Sequence, residues 1–315
     1  MYSEERIMNN KWTRYGIVLI ASGIVPLAGC GGGGSDASDT GFLSLSVSDA
    51  PIHDAKKVCI TFNEIGFKHS DGAPFIVELD PAEKVNLLDF QGNNAAPLLF
   101  NEELPAGNYE WMRLGIDAVM GSNGGGGDTG GDDCDGNASY LVMNDETVHN
   151  LYVPSGSETG LKLVSGFTVP VNGSADFSVE FDLGKSITAP PGLQPDVILK
   201  PALRLVNNVE AGTLTGQVSD ELATAEACQA SVYVFDDGVS PNGIEDGVDD
   251  PEDPVATALL EEVDNAGIPE YHYTVGFLLA GDYEVAFTCD GAEFTPAEGR
   301  SATIEAQTLT TVDFP

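Results

Sequence analysis

Short segments in which apolar and polar side chains alternate dominate the chain from Gly41 onward. In the first of them Leu43, Leu45 and Val47 alternate with serines, which is typical of a strand with one buried face. Similar segments recur between clusters of glycine, proline, asparagine and aspartate, which favour turns. No run keeps helical spacing beyond about two turns, and the best helical candidate covers residues 95–103. The pattern therefore predicts an all-β protein.

The predicted strands fall into two sets, with a boundary near Asn207 and Asn208. The chain that follows the N-terminal segment is too long for one typical hydrophobic core, which favours two domains. Residues 211–315 contain about seven short strands separated by turn residues, a spacing that indicates a β-sandwich. Residues 41–207 form the other predicted domain. We therefore expect two β-sandwich-like domains.

The first 30 residues have the organisation of a signal peptide. Lys11 and Arg14 precede an apolar stretch, which is shorter than the roughly 20 apolar residues needed to cross a bilayer. The sequence Leu-Ala-Gly-Cys at residues 27–30 resembles the bacterial lipobox, in which the cysteine is acylated and becomes the new N-terminus. The alternative is an ordinary secretory signal with an incidental cysteine.

This resemblance predicts how the protein is held at a membrane. We expect a lipoprotein signal peptide at residues 1–29, lipidation of Cys30, and a flexible glycine-rich tether at residues 30–40. Acyl chains of this kind anchor a protein to a membrane without crossing it. Gly31 after the cysteine favours delivery to the outer membrane. Whether Met1 or Met8 is the true start stays open.

Acidic residues greatly outnumber basic ones. The chain has 50 aspartates and glutamates against 13 lysines and arginines, which gives a formal net charge of −37 at pH 7. Such a charge repels nucleic-acid phosphates and anionic membrane surfaces, so we expect neither as a partner. It suits divalent cations, a cationic partner, or simply a salt-rich environment.

The cysteines indicate one disulfide in each predicted domain. Lipidation of Cys30 leaves four of the five cysteines, and an even number in an exported protein favours disulfides. Four cysteines permit three pairings. Because Cys59 and Cys134 lie in one half and Cys228 and Cys289 in the other, we expect these two pairs.

Two loops are rich in carboxylates and glycines. The acidic loop at residues 236–254 offers the oxygen ligands and sharp turns that calcium uses, although no EF-hand pattern is present. Its candidate ligands are Asp236, Asp237, Glu245, Asp246, Asp249 and Asp250. The glycine- and aspartate-rich loop at residues 121–137 is a weaker candidate. The alternative to a calcium site is a disordered acidic loop.

The chain carries none of the common catalytic motifs: no Gly-x-Ser-x-Gly, no His-Glu-x-x-His, no phosphate loop and no dinucleotide fingerprint. His53, beside Asp54, is the best general-base candidate, but a solvated histidine in a turn is the simpler interpretation. A carboxylate pair that cleaves a glycosidic bond stays open, because acidic residues abound. We therefore assign no catalytic residue.

Aromatic residues after a Leu-Pro-Ala-Gly turn provide a candidate ligand site. Tyr109 and Trp111 are two residues apart in a predicted strand and are expected to share one face. If exposed, the pair would stack on sugar rings; if buried, it belongs to the core. We expect Arg113, two residues on, to neutralise a buried carboxylate.

Several segments of the first half resemble a bacterial lipoprotein family, the domain of unknown function 4382. They are residues 45–51, which end in Ser-Asp-Ala-Pro, and residues 58–65, 85–88 and 104–114. The resemblance covers roughly residues 41–206. It implies a lipid-anchored protein and brings no catalytic residues.

The second half resembles the prealbumin-like, carboxypeptidase-regulatory type of β-sandwich. The resemblance lies in residues 279–285, where a small residue, glycine, any residue and tyrosine lead into a core strand. Residues 105–110 of the first half repeat this pattern. The repetition indicates either a shared sandwich corner or a diverged duplication.

Together these features favour a lipid-anchored protein of the bacterial cell envelope that acts as a non-catalytic binding or structural module. Its role would be adhesion, matrix attachment, or holding a glycan, polymer or envelope protein, with calcium as a possible stabilising ion. The alternative is an envelope hydrolase acting on carbohydrate through carboxylates that the sequence does not identify.

Overall fold

The computed structural model describes most of the chain after the N-terminal segment. The described residues are 39–50, 52–118, 134, 138–153, 160–188, 197–200, 202–244 and 250–315. Contacts group the chain into Met1–Ala37 and one compact unit, Ser38–Pro315, to which all described residues belong.

The described residues of the first half of the compact unit, up to Asn207, form two β-sheets and two very short helices. Its strands are β1 (Thr40–Ala50), β2 (Ala55–His69), β3 (Phe75–Asn86), β4 (Ala96–Pro105), β5 (Gly107–Ile116), β6 (Tyr140–Met143), β7 (Val148–Tyr152), β8 (Leu161–Leu163), β9 (Phe167–Val169), β10 (Ser174–Asp182), β11 (Ile187–Thr188), β12 (Val197–Leu199) and β13 (Leu203–Asn207). A 3₁₀-helix covers Leu87–Asp89, and α1 covers Leu183–Ser186.

The two sheets of the first half enclose one hydrophobic core. A four-stranded sheet has the order β13-β10-β1-β4, and a nine-stranded sheet has the order β11-β12-β7-β6-β2-β5-β8, with β3 paired to β2 and β9 paired to β5. Leu43, Leu45 and Val47 of β1 are fully buried and share the core with Phe62 and Ile65 of β2. The period-two pattern thus places one face of β1 against the opposite sheet.

Residues 95–103, the best helical candidate, lie mostly in strand β4, so that prediction is wrong. β4 pairs antiparallel with β1 along its length, with bulges around Leu45. Leu98 and Leu99 are both buried in the core. Pairing and burial together outweigh a weak local preference for helix.

The second half of the compact unit, from Ala211 onward, is also a sandwich. Its elements are β14 (Ala211–Val218), α2 (Asp220–Ala223), β15 (Ser231–Asp236), β16 (Ala256–Leu259), β17 (Glu261–Asn265), β18 (Ile268–Leu279), β19 (Gly281–Thr288), β20 (Phe294–Ile304) and β21 (Leu309–Thr311). One sheet has the order β17-β18-β14-β21 and the other β16-β15-β19-β20. Leu214, Val234 and Val285 belong to a separate core between these sheets. The all-β, sandwich-type fold is therefore confirmed.

Both predicted disulfides are present, one in each half. Cys59 is bonded to Cys134, and Cys228 is bonded to Cys289. The two halves have separate cores but belong to one compact unit. The division into two domains stays a prediction.

A tyrosine closes the same kind of turn in each half. Tyr109 Oη donates a hydrogen bond to the carbonyl oxygen of Pro105 at 2.7 Å. Tyr283 Oη donates to the carbonyl oxygen of Leu279 at 2.8 Å. In both cases the acceptor lies four residues upstream, the arrangement of a tyrosine corner in sandwich folds.

Candidate functional site

The two halves of the compact unit meet at a junction that is rich in buried polar groups. Lys185 Nζ, from the first half, donates a hydrogen bond to the carbonyl oxygen of Pro254 in the second half at 2.8 Å. His53 Nε2 lies 2.7 Å from Ser231 Oγ. Polar contacts on both sides of the interface therefore fix how the halves meet.

The main feature of the junction is an acid cluster, which we define as four carboxylates from both halves, three of them buried and one, Asp182, partly buried. Its members are Asp49, Glu180, Asp182 and Asp253. β1 and β10 run parallel, and their register places Ala50 beside Asp182 and Ser48 beside Glu180. The carboxyl ends of both strands therefore deliver three carboxylates to one place.

Lys185 is the cation that links the acid cluster across the junction. Its ammonium lies 3.8 Å from Asp182 Oδ2 and 3.5 Å from Asp253 Oδ2, whose side chain is only 3 % exposed. Asp182 also accepts a hydrogen bond from the Lys185 backbone amide at 3.1 Å, at the start of α1. Burial raises the pKa of Asp182, and the Lys185 charge opposes that shift. One lysine thus neutralises carboxylates from both halves.

A second ion pair lies beside the first. Arg204 of β13 bonds to Glu180 of the neighbouring strand β10 through its guanidinium, and the Glu180 side chain is almost fully buried. Burial raises the pKa of Glu180, while the Arg204 charge and hydrogen bond act in the opposite direction. The pair therefore compensates part of the cost of burying this carboxylate.

Asp49 has no such compensation. It is 2 % exposed, and neither carboxylate oxygen has a hydrogen-bond partner among the described residues. Burial, followed by the nearby charges of Asp182 and Glu180, raises its pKa well above the ordinary value. The backbone amide of Leu183 opposes the shift. These conditions favour the protonated, neutral carboxyl group.

The acid cluster is placed for holding the halves together rather than for reacting with a substrate. Asp49, Glu180 and Asp253 are each less than a tenth exposed. Glycosidic-bond cleavage needs two carboxylates on either side of a bond that the substrate can bring between them. Carboxylates enclosed by protein on this scale do not meet that requirement.

His53 lies at the junction, in a bend after β1, and its side chain is partly buried. The same Ser231 hydroxyl lies 3.2 Å from the Gln229 carbonyl oxygen, so His53, Ser231 and Gln229 form one polar group across the junction. Burial lowers the pKa of His53, although Asp54 opposes the shift. His53 thus serves as a polar contact between the two halves.

Tyr109 and Trp111 do not share a face, so that expectation is wrong. In the β2–β5 pairing His69 faces Tyr109 while Lys68 faces Trp111, which leaves an extra residue on β5 as a bulge. Tyr109 therefore faces the core, where it is 2 % exposed. Trp111 lies on the other side, with Lys162 Nζ 4.9 Å from its ring centre. The bulge has changed the side on which each ring lies.

Arg113 pairs with a carboxylate, although not with the buried one that was expected. Its guanidinium lies 3.2 Å from Glu64 Oε1 on the neighbouring strand, and both side chains are about a quarter exposed. The pair is thus only partly buried, on the same side of β5 as Trp111.

Half of the predicted calcium ligands can be placed. Asp236, Asp237 and Asp250 are described, whereas Glu245, Asp246 and Asp249 lie outside the described residues. Asp250 Oδ1 accepts a hydrogen bond from the Glu252 amide at 3.0 Å. Within the described part of the chain, no three acidic, histidine or cysteine side chains come close enough to hold a metal ion. The calcium site stays a prediction.

The predicted lipidation site, Cys30, also lies outside the described residues. Among the residues that the structure does describe, no helix has the length and apolar character needed to span a membrane.

Sequence reasoning missed the acid cluster, Lys185 and Arg204. The Ser-Asp-Ala-Pro segment was recognised for its resemblance to a family, but nothing in it shows that Asp49 is buried. A carboxylate at the end of an apolar strand, followed by a proline, is the local signal that was available. The other members of the acid cluster are more than 130 residues away in the chain, so no local sequence pattern indicates that they lie beside Asp49.

The fold and the junction define an all-β protein of two sandwiches, joined by the ion pair between Lys185 and Asp253. Residues 40–201 match the family described as "Domain of unknown function (DUF4382)". The match covers half of the chain, and the protein belongs to this family, as the resemblance predicted.

Comparison with solved structures finds distant likenesses to surface proteins. The minor pilin of Streptococcus agalactiae is 12 % identical, with a TM-score of 0.20, over 86 % of this chain and 94 % of that chain. The fimbrial anchor protein of Porphyromonas gingivalis is 12 % identical, with a TM-score of 0.19, over 83 % of this chain and 82 % of that one. Superposition this poor carries no functional argument. No curated protein matches the chain.

Proposed function

We propose that the protein is a lipid-anchored module of the bacterial cell envelope that binds or holds a partner and catalyses no reaction. The junction is the observation that carries the proposal, because Lys185 joins Asp182 of one sandwich to Asp253 of the other. Two disulfide-stapled sandwiches connected in this way present a stiff surface, which suits adhesion, matrix attachment or holding a polymer.

The disulfides support export. Disulfides persist in oxidising compartments such as the periplasm and the cell surface, and they are rare in the reducing cytosol. The lipobox-like sequence before Cys30 adds a means of attachment, since acyl chains on the cysteine would hold the protein at a membrane surface. Gly31 favours the outer membrane.

Membrane fractionation tests the anchor. We expect the unaltered protein to sediment with membranes and the Cys30→Ser variant to appear in the soluble fraction. A Cys30→Ser variant that stays with the membranes would show that another segment holds the protein there. Density-gradient separation of inner and outer membranes then tests the effect of Gly31, with Gly31→Asp as the comparison.

A pull-down tests the binding role. Immobilised protein is offered envelope proteins and envelope glycans, with calcium and with chelator in parallel. Retention of a defined partner supports the proposal, and retention of nothing under either condition contradicts it.

Calcium is tested separately through thermal stability. Like charges in the loop at residues 236–254 repel one another unless a cation is bound, so bound calcium should stabilise the folded state. We expect millimolar calcium to raise the melting temperature and chelator to reverse the effect. An unchanged melting temperature would remove calcium from the proposal.

A further inference from the structure

A cavity of about 450 Å³ lies between the two halves, away from the acid cluster. This volume falls within the range of about 300–1,000 Å³ typical of small-molecule sites, which often form where two domains meet. The lining side chains include Asn93 from the first half, Asn208 from the connection, and Thr213, Phe277, Gln307 and Thr308 from the second half.

Two glycines bring the walls of the cavity together. A Cβ on Gly276 would lie 2.3 Å from the carbonyl oxygen of Gly92, so only glycine allows the turn before Asn93 to approach β18 this closely. A Cβ on Gly212 would lie 2.4 Å from the carbonyl oxygen of Glu305. Because glycine has no Cβ, the backbone can pack closely around the cavity at both positions.

Phe277 is aimed at the cavity by a β-bulge. In the β14–β18 pairing Leu214 faces Val275 and Gly212 faces Leu278, so two residues of β18 lie opposite Thr213 alone. Phe277 takes a left-handed backbone conformation with φ of 53°, which is strained for a bulky residue. Bulges and strained residues of this kind are concentrated next to binding sites, where they redirect a side chain.

The chemistry of the lining is polar but uncharged. Carboxamides and hydroxyls surround one aromatic ring, and none of the described residues that line the cavity is ionisable. Among the described residues, the side chains of Asn93 and Thr213 have no hydrogen-bond partner, so both are available to a ligand. Thr308 donates its hydroxyl hydrogen to the Glu305 carbonyl oxygen at 2.8 Å, which leaves its oxygen free to accept.

These groups select the class of ligand. Carboxamides and hydroxyls both donate and accept hydrogen bonds, as the hydroxyls of a sugar require. An aromatic face provides apolar contact for the C–H side of a sugar ring. The net charge of −37 disfavours an anionic ligand.

We propose that this cavity binds a neutral sugar unit, with its ring against Phe277 and its hydroxyls on Asn93 and Thr213. The inference rests on the proposed role as a binding module and gives that module a ligand class. This cavity is a different site from the one predicted at Tyr109 and Trp111. The bulge in β5 places those two side chains on opposite faces of the sheet.

The test measures binding of neutral sugars to the compact unit Ser38–Pro315, in which both disulfides are kept. The probes are glucose, galactose, mannose and N-acetylglucosamine, with their β-linked disaccharides, in saturation-transfer NMR and calorimetry. We expect at least one neutral sugar to bind, and glucuronate to bind at least about fivefold more weakly than glucose because of the protein's charge.

Phe277→Gly is the decisive variant, because glycine adopts the left-handed conformation without strain while the ring is removed. We expect its melting temperature to be unchanged or higher and its sugar affinity to fall about tenfold. Phe100→Ala is the matched control, since it removes an aromatic ring that is 81 % exposed and lies outside the cavity.

Absence of binding by every neutral probe would overturn the inference. Undiminished binding by Phe277→Gly, or an equal loss in Phe100→Ala, would overturn it as well. Such results leave the membrane fractionation of Cys30→Ser untouched, so failure of the sugar site and failure of the proposed function are separate outcomes.

Discussion

The two tyrosine corners show how one local motif is used in two different cores. Tyr109 and Tyr283 make the same hydroxyl-to-carbonyl bond four residues upstream. Around Tyr109 the packing is aromatic: its ring stacks on Phe167 at 4.8 Å and meets Phe67 edge-on at 5.9 Å. Among the described residues, Tyr283 has no comparable ring contact and packs with aliphatic neighbours such as Val285.

The difference shows which part of the motif is local. A small residue and a glycine before the tyrosine are enough to form the turn and its hydrogen bond in both halves. The packing around each tyrosine does not depend on this turn motif. It is determined by residues far away in the chain. The repetition therefore includes a sandwich corner of the same geometry in both halves.

The largest predicted effect is the loss of stability when a disulfide is removed. The two disulfides should contribute nearly equally to the free energy of unfolding. The bond Cys59–Cys134 spans 75 residues and Cys228–Cys289 spans 61. Loss of loop-closure constraint should cost about 4 kcal/mol of unfolding free energy in either case. We propose to replace each pair by alanines and to measure unfolding in guanidinium.

Nearly equal losses would show that the two sandwiches depend on their staples to the same degree. A loss below about 1 kcal/mol in one half, with the full loss in the other, would contradict the equivalence.

The next effect concerns the contact between the halves. Lys185→Met removes the cation that Asp182 and Asp253 share, which leaves buried carboxylates unpaired and should cost about 3 kcal/mol. Calorimetry should then show the two halves unfolding in separate transitions, because their cores are independent.

Lys56→Met is the matched control. Lys56 pairs with Glu146 at 3.2 Å, but the two side chains are 47 % and 83 % exposed. Removal of such a surface pair should cost less than about 1 kcal/mol. If the two lysine variants lose equal stability, the junction does not depend on Lys185.

A smaller effect tests the corners themselves. Tyr109→Phe and Tyr283→Phe each remove one hydroxyl and leave a carbonyl oxygen without its donor, which should cost about 1–2 kcal/mol in either half. The rings stay in place, so the aromatic cluster around Tyr109 should not add to the loss. Urea unfolding of both variants measures this. A clearly larger loss for Tyr109→Phe would mean that its hydroxyl also supports the aromatic cluster.

The smallest effect is the pH dependence of Asp49. Burial raises its pKa in the folded protein, so its contribution is fully present below the unfolded pKa of about 4 and is lost as the pH rises through the folded pKa. Asp49→Asn keeps a neutral side chain at every pH. It should raise the melting temperature by about 2–4 °C at pH 8 and leave it unchanged at pH 4.

Asp145→Asn is the control for this prediction. Asp145 is exposed, and hydrogen bonds from Thr147 lower its pKa, so its contribution is present at neutral pH and is lost on acidification. Asp145→Asn should therefore not raise the melting temperature at pH 8. A higher melting temperature in both variants would indicate a general effect of net charge.

Much of the fold could be predicted from local patterns. Alternation along β1 identified its buried face, because a strand repeats every two residues. The small-Gly-Asn-Tyr and small-Gly-Asp-Tyr segments identified both corners. The positions of the four cysteines along the chain were enough to pair them correctly.

The missed features depend on contacts between distant residues. The bulge on β5 places Trp111 on the opposite face from Tyr109. The sequence around Glu110 contains no pattern that predicts this bulge. Residues 95–103 lacked a clear period, so only pairing with β1 decided their conformation. Burial of Asp49 depends on β10 and on the second half, neither of which is apparent from the Ser-Asp-Ala-Pro segment.

The parallel pairing of β1 with β10 has a consequence for the order of folding. β1 is the first strand among the described residues, yet Phe42 lies beside Ser174 in the finished sheet. Contacts this remote along the chain form slowly, because a long loop must close before they can contribute. During synthesis, β1 therefore cannot pair with β10 until most of the first half has left the ribosome. During that interval its apolar face is exposed and depends on a chaperone or on β4 for cover.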